Sequence, residues 1–273
     1  MRLTRLIAST THSERDFWAR TLLGRSLLLF PEPLRPELFI RFENTGKWGL
    51  PEIYNAAIAS CPAEKNLLFV HDDVFLHDLF LQHRLHEGLQ SADVIGLAGS
   101  RNSDLCQPSW GLGFNEDLKP TGWQKGGRIE LRGAVSHVTR YLEPGVQRSF
   151  TPAPQLGVYG NPRAECHLLD GLFLGCNAAL LQEWGMRFDE QFRFHLYDLD
   201  FCRTARLRGL RLSTWPILVS HGSGGNFDSE EFRTAARLYL HKWQPLEQLA
   251  ASDSSPRSPK PEARSPSSEG ASP

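Results

Sequence analysis

Four polar clusters in this chain carry residue types that do chemistry, and three of them end or interrupt an apolar run. His71-Asp72-Asp73 follows the unbroken apolar residues 67–70, Asp170-Gly171 interrupts the run 166–176, and His221 closes the run 212–219. A short unbroken apolar run reads as a buried parallel strand that delivers the next residues at its C-terminal edge. That edge is where open α/β sheets bind ligands. Two adjacent carboxylates and an imidazole there suit a divalent cation holding an anionic group, such as a nucleotide diphosphate. The fourth cluster, Asp198 and Asp200, opens a helical pattern. Two residues apart on a helix, these carboxylates point about 200° apart and have separate jobs.

Each cluster alone also fits a structural role. His71-Asp72-Asp73 can cap a helix, a single histidine commonly hydrogen-bonds within a loop, and carboxylates in a first helical turn satisfy the helix dipole. Their joint occurrence with parallel-sheet patterning is what points to a site.

The elements that must position these clusters follow from the apolar pattern. A strand is expected over residues 3–9, then a helix from Ser13-Glu14-Arg15-Asp16 to about residue 23, with a carboxylate at its third position. A strand over 38–42 leads into the loop Glu43-Asn44-Thr45-Gly46, and Pro51 sits in the first turn of a helix reaching about residue 60. The strand 67–70, a helix near 76–89 and a strand over 94–98 complete a run of alternating elements, the signature of a parallel sheet with crossover helices. Residues 100–165 differ, being rich in Gly, Pro and Trp, with a strand expected near 128–135. So long a segment either completes the sheet or covers a substrate.

Regular structure resumes with the strand 166–176, a helix near 178–184, a turn over 185–189, a helix over 197–208 and a last strand over 212–219 that runs into the glycine-rich residues 220–225. Asp228 and Glu231 form a capping-box pattern before a helix with Phe232, Ala236, Tyr239 and Trp243 on one face. From about residue 250 to 273 there is no large apolar residue after Leu249, and this tail is expected to be disordered.

Bulk composition bounds the partners. A chain of 273 residues can bury a single sizeable core, and its net charge of −1 gives no electrostatic case for nucleic acid or an anionic membrane surface. No apolar run approaches the roughly 18 residues a transmembrane helix needs, and the first residues lack a signal-peptide pattern. Five cysteines without a C-x-x-C pair fit reduced, buried thiols. A cytoplasmic protein is the resulting expectation.

Taken in order, Asn44, Tyr54-Asn55, His71-x-Asp73-Val74, Asp170-Gly171, His195-x-Tyr197-Asp198-x-Asp200-Phe201-Cys202, Gly209 and His221-x-Ser223-Gly224-Gly225 resemble family 2-type glycosyltransferases of GT-A fold. The likeness is greatest to the StrF-like (streptomycin-biosynthesis-type) domain and spans roughly residues 3–245. It implies an α/β GT-A domain over residues 1–249, with a mostly parallel central sheet flanked by helices, followed by a Ser/Pro-rich tail over 250–273. It implies an inverting transfer of a sugar from a nucleotide-sugar donor to the hydroxyl of a glycan, lipid-linked, protein or small-molecule acceptor. Asp73 would stand at the last position of a DxD-like motif, with His71 replacing its first carboxylate, and would hold Mn²⁺ or Mg²⁺ with His221. His71, Asp72, Asn44 and Asn55 would contact the donor. Asp198 would be the general base. Asp170 and Gly171 would lie beneath the sugar or acceptor, and Asp200 would be structural or would orient the acceptor. The unmatched central segment is the expected acceptor region. Two other readings use the same residues: a metal-dependent hydrolase or nucleotidyltransferase, and a non-catalytic GT-A-like domain that binds a glycan or partner.

Overall fold

The computed structural model describes residues 2–101, 107–124, 129–137, 155–223 and 225–253, with the backbone alone at 155 and 245–253. Of the tail expected to be disordered from about residue 250, residues 250–253 instead continue the last helix, whereas residue 254 onward, Cys106, the glycines at 126 and 127, and Gly224 lie outside the described residues.

The first half alternates strands and helices. It runs through β1 (Thr4–Ser9), α1 (Glu14–Arg20), α2 (Leu22–Leu27), β2 (Glu37–Arg41), α3 (Leu50–Ser60), β3 (Asn66–Val70), β4 (Val74–Leu76), α4 (Leu81–Ser91), β5 (Val94–Gly96) and β6 (Ala98–Arg101). The described residues of the middle form strands: β7 (Leu112–Phe114), β8 (Pro120–Trp123), β9 (Glu130–His137), β10 (Gln155–Val158), β11 (Ala164–Cys166) and β12 (Leu168–Leu169). The chain closes with β13 (Phe173–Asn177), α5 (Ala178–Glu183), α6 (Tyr197–Leu207), β14 (Leu212–Thr214), β15 (Val219–His221) and α7 (Glu230–Asp253).

The fold is α/β, with a central seven-stranded sheet in the order β11-β14-β5-β13-β3-β1-β2. β1, β2, β3, β5 and β14 run the same way, while β13 and β11 oppose them. β3 lies between β1 and β13 and is buried at every residue, which is why it reads as a continuous apolar run. Behind it Tyr54 of α3 packs on Phe69, and Phe188 stacks on Phe201 of α6 at 4.2 Å.

A second sheet, β12-β6-β9-β15-β4 with β10 on β9, stands beside the first. Two strands expected to be continuous, and a third expected to be interrupted at Asp170-Gly171, divide their residues between the two sheets. Residues 94–98 break at Leu97, 166–176 at Asp170-Gly171, and 212–219 at Trp215-Pro216. Leu97 turns its carbonyl to the amide of Ala134 in the second sheet, and Pro216 has no N–H to give to a ladder. These corners lie where one sheet hands the chain to the other.

Other boundaries moved for local reasons. The helix expected over 13–23 is two helices, because Thr21 is extended and its hydroxyl donates to Phe17 O while accepting from Gly24 N. Leu76 belongs to a strand paired with β15, so α4 begins only at Leu81. At α7 it is the Ser229 hydroxyl, three residues before Phe232, that accepts the Phe232 amide, in place of the expected Asp228 cap. The apolar face of α7 is as the pattern predicts, with Phe232, Ala236, Tyr239 and Trp243 buried.

Candidate functional site

Strand register assembles the first part of the site. Val74 pairs with His221 and His221 with His137, while Gly222 N donates to Asp73 O at 2.8 Å. On the other side Val70 pairs with Phe173, and His71 N donates to Leu172 O. The His71-Asp72-Asp73 turn is therefore clamped between the Asp170-Gly171 corner and the end of β15.

His71, Asp73 and His221 each bring one ligand atom to within 4.8 Å of the others. His221 Nε2 lies 3.4 Å from Asp73 Oδ1. Burial alone would raise the Asp73 carboxyl, but the bond and charge of His221 outweigh it and hold Asp73 at about 2. Burial pulls His71 the other way, favouring its neutral form. Tyr197 Oη donates to Gly171 O at 3.2 Å and stands 2.7 Å from His71 Nε2. It therefore accepts from Nε2–H, and by this assignment His71 Nδ1 keeps its lone pair for a cation. His221 Nδ1 is buried without a hydrogen-bond partner. Two imidazoles, one ionised carboxylate and orphaned acceptor capacity fit a divalent cation. The nitrogen donors suit Mn²⁺ better than Mg²⁺. His71, expected as a donor contact, stands within the cluster that could hold the cation.

The second part is a pair of carboxylates across the same cleft, which holds about 420 Å³. Leu196, with left-handed backbone at φ 65°, ends the approach to α6 and sets Asp198 in the first helical turn. Asp198 Oδ2 accepts from Gly171 N at 2.8 Å. Burial and then the charge of Asp170 push its carboxyl up to about 7 against that hydrogen bond. A carboxylate with such a value can exchange a proton near neutral pH. Asp170 itself accepts from Trp110 Nε1 at 2.7 Å and from Leu172 N at 2.9 Å. Asp72 also faces the cleft, its carboxyl raised by burial and opposed by a bond from Thr10.

No family model matches the chain, and no curated protein matches it. Among solved structures the chain is similar to S. aureus TarS 1-349, at a TM-score of 0.44 and 14% identity over 89% of this chain and 65% of that one. The same protein in complex with UDP gives a TM-score of 0.46, at 14% identity with the same coverage. The chain is also similar to A197 from STIV, at a TM-score of 0.38 and 12% identity over 82% and 83% of the two chains. It thus spans 65% of the length of the TarS structures.

Four sequence candidates have other duties. Asn44 ties its own loop, donating to Ser9 Oγ and Trp48 O and accepting from Trp48 N. Asn55 is spent on the 188–190 turn, exchanging bonds with both Phe188 N and O and donating to Glu190. Asp200, 1% exposed, points away from the cleft to Lys242 Nζ at 2.7 Å and Trp243 Nε1 at 3.0 Å, pinning α7 to α6. Of its two expected roles only the structural one fits. Gly171 does not leave space for a ligand. A Cβ there would lie 2.5 Å from Tyr197 Oη and 2.8 Å from Asp198 Cβ, so the missing side chain makes room for α6.

Three contributors escaped the sequence reading. Tyr197 was quoted as a motif letter without a role, yet it orients His71. His137 and Trp110 belong to the central segment, where only a structure reveals that His137 pairs with His221 and Trp110 with Asp170. Cys61, Cys166, Cys176 and Cys202 are buried thiols, and among the described residues no helix is long and apolar enough to cross a membrane.

Proposed function

We propose that this chain is an inverting, metal-dependent glycosyltransferase of the StrF-like type, with residues 1–249 forming one GT-A domain. The observation that carries the reading is one cleft holding both the His71–Asp73–His221 cluster and a carboxylate, Asp198, whose proton affinity is raised to about 7. The two halves suit the two ends of a displacement. His71, Asp73 and His221 would hold Mn²⁺, which when bound neutralises charge on a departing nucleoside diphosphate. Asp72, which accepts a bond from Thr10 just after β1, would contact the ribose of the donor.

Asp198 takes the proton from the acceptor hydroxyl as that oxygen bonds to the anomeric carbon. The bond from that carbon to the phosphate oxygen breaks on the opposite face, and its electron pair leaves with the nucleoside diphosphate. Gly171 N keeps one Asp198 oxygen fixed so that the other faces the acceptor. Asp170 holds the wall of the cleft through Trp110 and raises the basicity of Asp198 by its charge.

Two imidazoles and a carboxylate also hold Fe²⁺ in oxygenases. A half-buried carboxylate with raised proton affinity across the cleft favours hydroxyl deprotonation instead. The test is nucleoside diphosphate release from a panel of nucleotide sugars in EDTA, Mn²⁺, Mg²⁺ and Fe²⁺. Release with Mn²⁺ that stops in EDTA is expected. Silence across the panel, or oxygen consumption with Fe²⁺ alone, contradicts the reading.

A further inference from the structure

Beyond the metal and the base, the cleft has an aromatic wall contributed by the central segment. Trp110, Trp123 and Tyr159 pack on one another with ring centroids 5.0, 5.1 and 5.4 Å apart. All three line the same cleft as Asp198. Trp110 is 6% exposed and serves as backing, whereas Trp123 is 44% exposed. The β7–β8 hairpin presents Trp123: Leu112 pairs with Trp123, and Gln124 N donates to Gly111 O at 2.9 Å. A Cβ at Gly111 would stand 2.7 Å from the Trp123 ring, so the glycine lets that ring lie close against the hairpin.

Among the described residues nothing covers the outer face of Trp123, and the groups around it narrow what ligand suits it. Trp110 hands its Nε1 to Asp170, and the next residue, Gly171, bonds Asp198. Tyr159 Oη meets His137 Nε2 at 3.0 Å. A broad apolar face is thus rimmed by a carboxylate, a phenol and an imidazole. The three rings touch one another, so they form a wall with no ammonium-sized gap between them, unlike an aromatic cage.

We propose that this wall is the acceptor subsite and that its occupant is a pyranose ring of a glycan. A pyranose has a face of C–H bonds that lies against the negative face of an indole, and rim hydroxyls that reach Asp170 and Tyr159. The acceptor assignment rests on the glycosyltransferase reading; the affinity of the wall for a sugar ring does not.

Saturation-transfer NMR on the full chain, with Mn²⁺ and uridine diphosphate present, tests it. The probes are methyl glycosides of glucose, galactose and N-acetylglucosamine, with open-chain ribitol as the ringless control. At least one pyranoside is expected to receive saturation at its ring C–H positions, and ribitol none. Trp123→Ala should weaken that binding by about ten-fold, with Trp123→Phe recovering most of it. Calorimetric affinity for uridine diphosphate should be unchanged in both variants. No signal from any pyranoside, an equal signal from ribitol, or Trp123→Ala binding pyranosides normally would overturn the subsite. So would loss of uridine diphosphate affinity in Trp123→Ala, which would give the wall to the nucleobase. If uridine diphosphate and the other nucleoside diphosphates fail to bind even the unmodified chain while pyranosides bind through Trp123, the glycosyltransferase reading falls and the sugar-binding wall stands.

Discussion

At the scale of single residues, the arrangement depends on treating neighbouring carboxylates differently. Asp73 sits beside His221 and is held low, at about 2, whereas Asp198 faces a buried wall and the charge of Asp170 and is pushed up to about 7. One is a permanent anion suited to a cation; the other can take and release a proton. The shift at Asp198 is also a statement about stability. Between an ordinary carboxylate value and about 7 the folded chain holds a proton that the unfolded chain does not, so this group's contribution falls as pH rises through that window. Asp198→Asn removes the cost of ionising it. Relative to the unmodified chain, the variant should gain on the order of 2 kcal/mol in unfolding free energy at pH 8 and almost nothing at pH 4, read by urea denaturation at both. A difference independent of pH would mean that Asp198 is not buried as described. The residue types at this scale were legible in the sequence: His71, Asp73, His221, Asp170 and Asp198 do share one cleft. Asn44 and Asn55 tie loops through their hydrogen bonds, and a polar residue near a strand end looks the same in sequence whether it binds a ligand or ties a loop.

Among elements, the corners between the two sheets do the positioning. The Asp170-Gly171 corner receives the first turn of α6, and the fit is tight enough that Gly171→Ala would push a methyl group into Tyr197 and Asp198. We expect it to cost about 1–3 kcal/mol, measured by urea denaturation, and to disturb His71 through Tyr197 as well as the base. Unfolding indistinguishable from the unmodified chain would show that the corner has slack. The opposite face of α6 is held by Asp200, Lys242 and Trp243. Asp200→Ala leaves the buried Trp243 indole N–H without its acceptor and leaves Lys242 with Asp189 as its remaining carboxylate, and should destabilise by about 2 kcal/mol while the acceptor KM of the folded protein stays put. A raised acceptor KM with full stability would restore Asp200 to the acceptor. These corners were not legible as corners. An apolar run that changes sheets midway has the same composition as one that does not, so residues 94–98 and 212–219 each looked like one strand.

For the molecule as a whole, the parallel strands supply the edge and the central segment closes the cleft from the other side. The alternation of strands and helices in the first hundred residues announced the central sheet, because crossover helices impose that rhythm on the sequence. The second sheet left no such rhythm. Its strands are short, β9 serves β6, β10 and β15 along its length, and those pairings join residues far apart in the chain. In the proposed function the two halves of the cleft act on one displacement: the His71–Asp73–His221 cluster would hold the cation at the departing diphosphate, and Asp198 would activate the acceptor. The most direct measurement is turnover by Asp198→Asn, with Mn²⁺, a nucleotide sugar at saturation and an acceptor that the unmodified chain glycosylates. The account predicts that nucleoside diphosphate release falls by about 10²–10⁴-fold while Mn²⁺-dependent donor affinity stays within error. Release at the unmodified rate would contradict it.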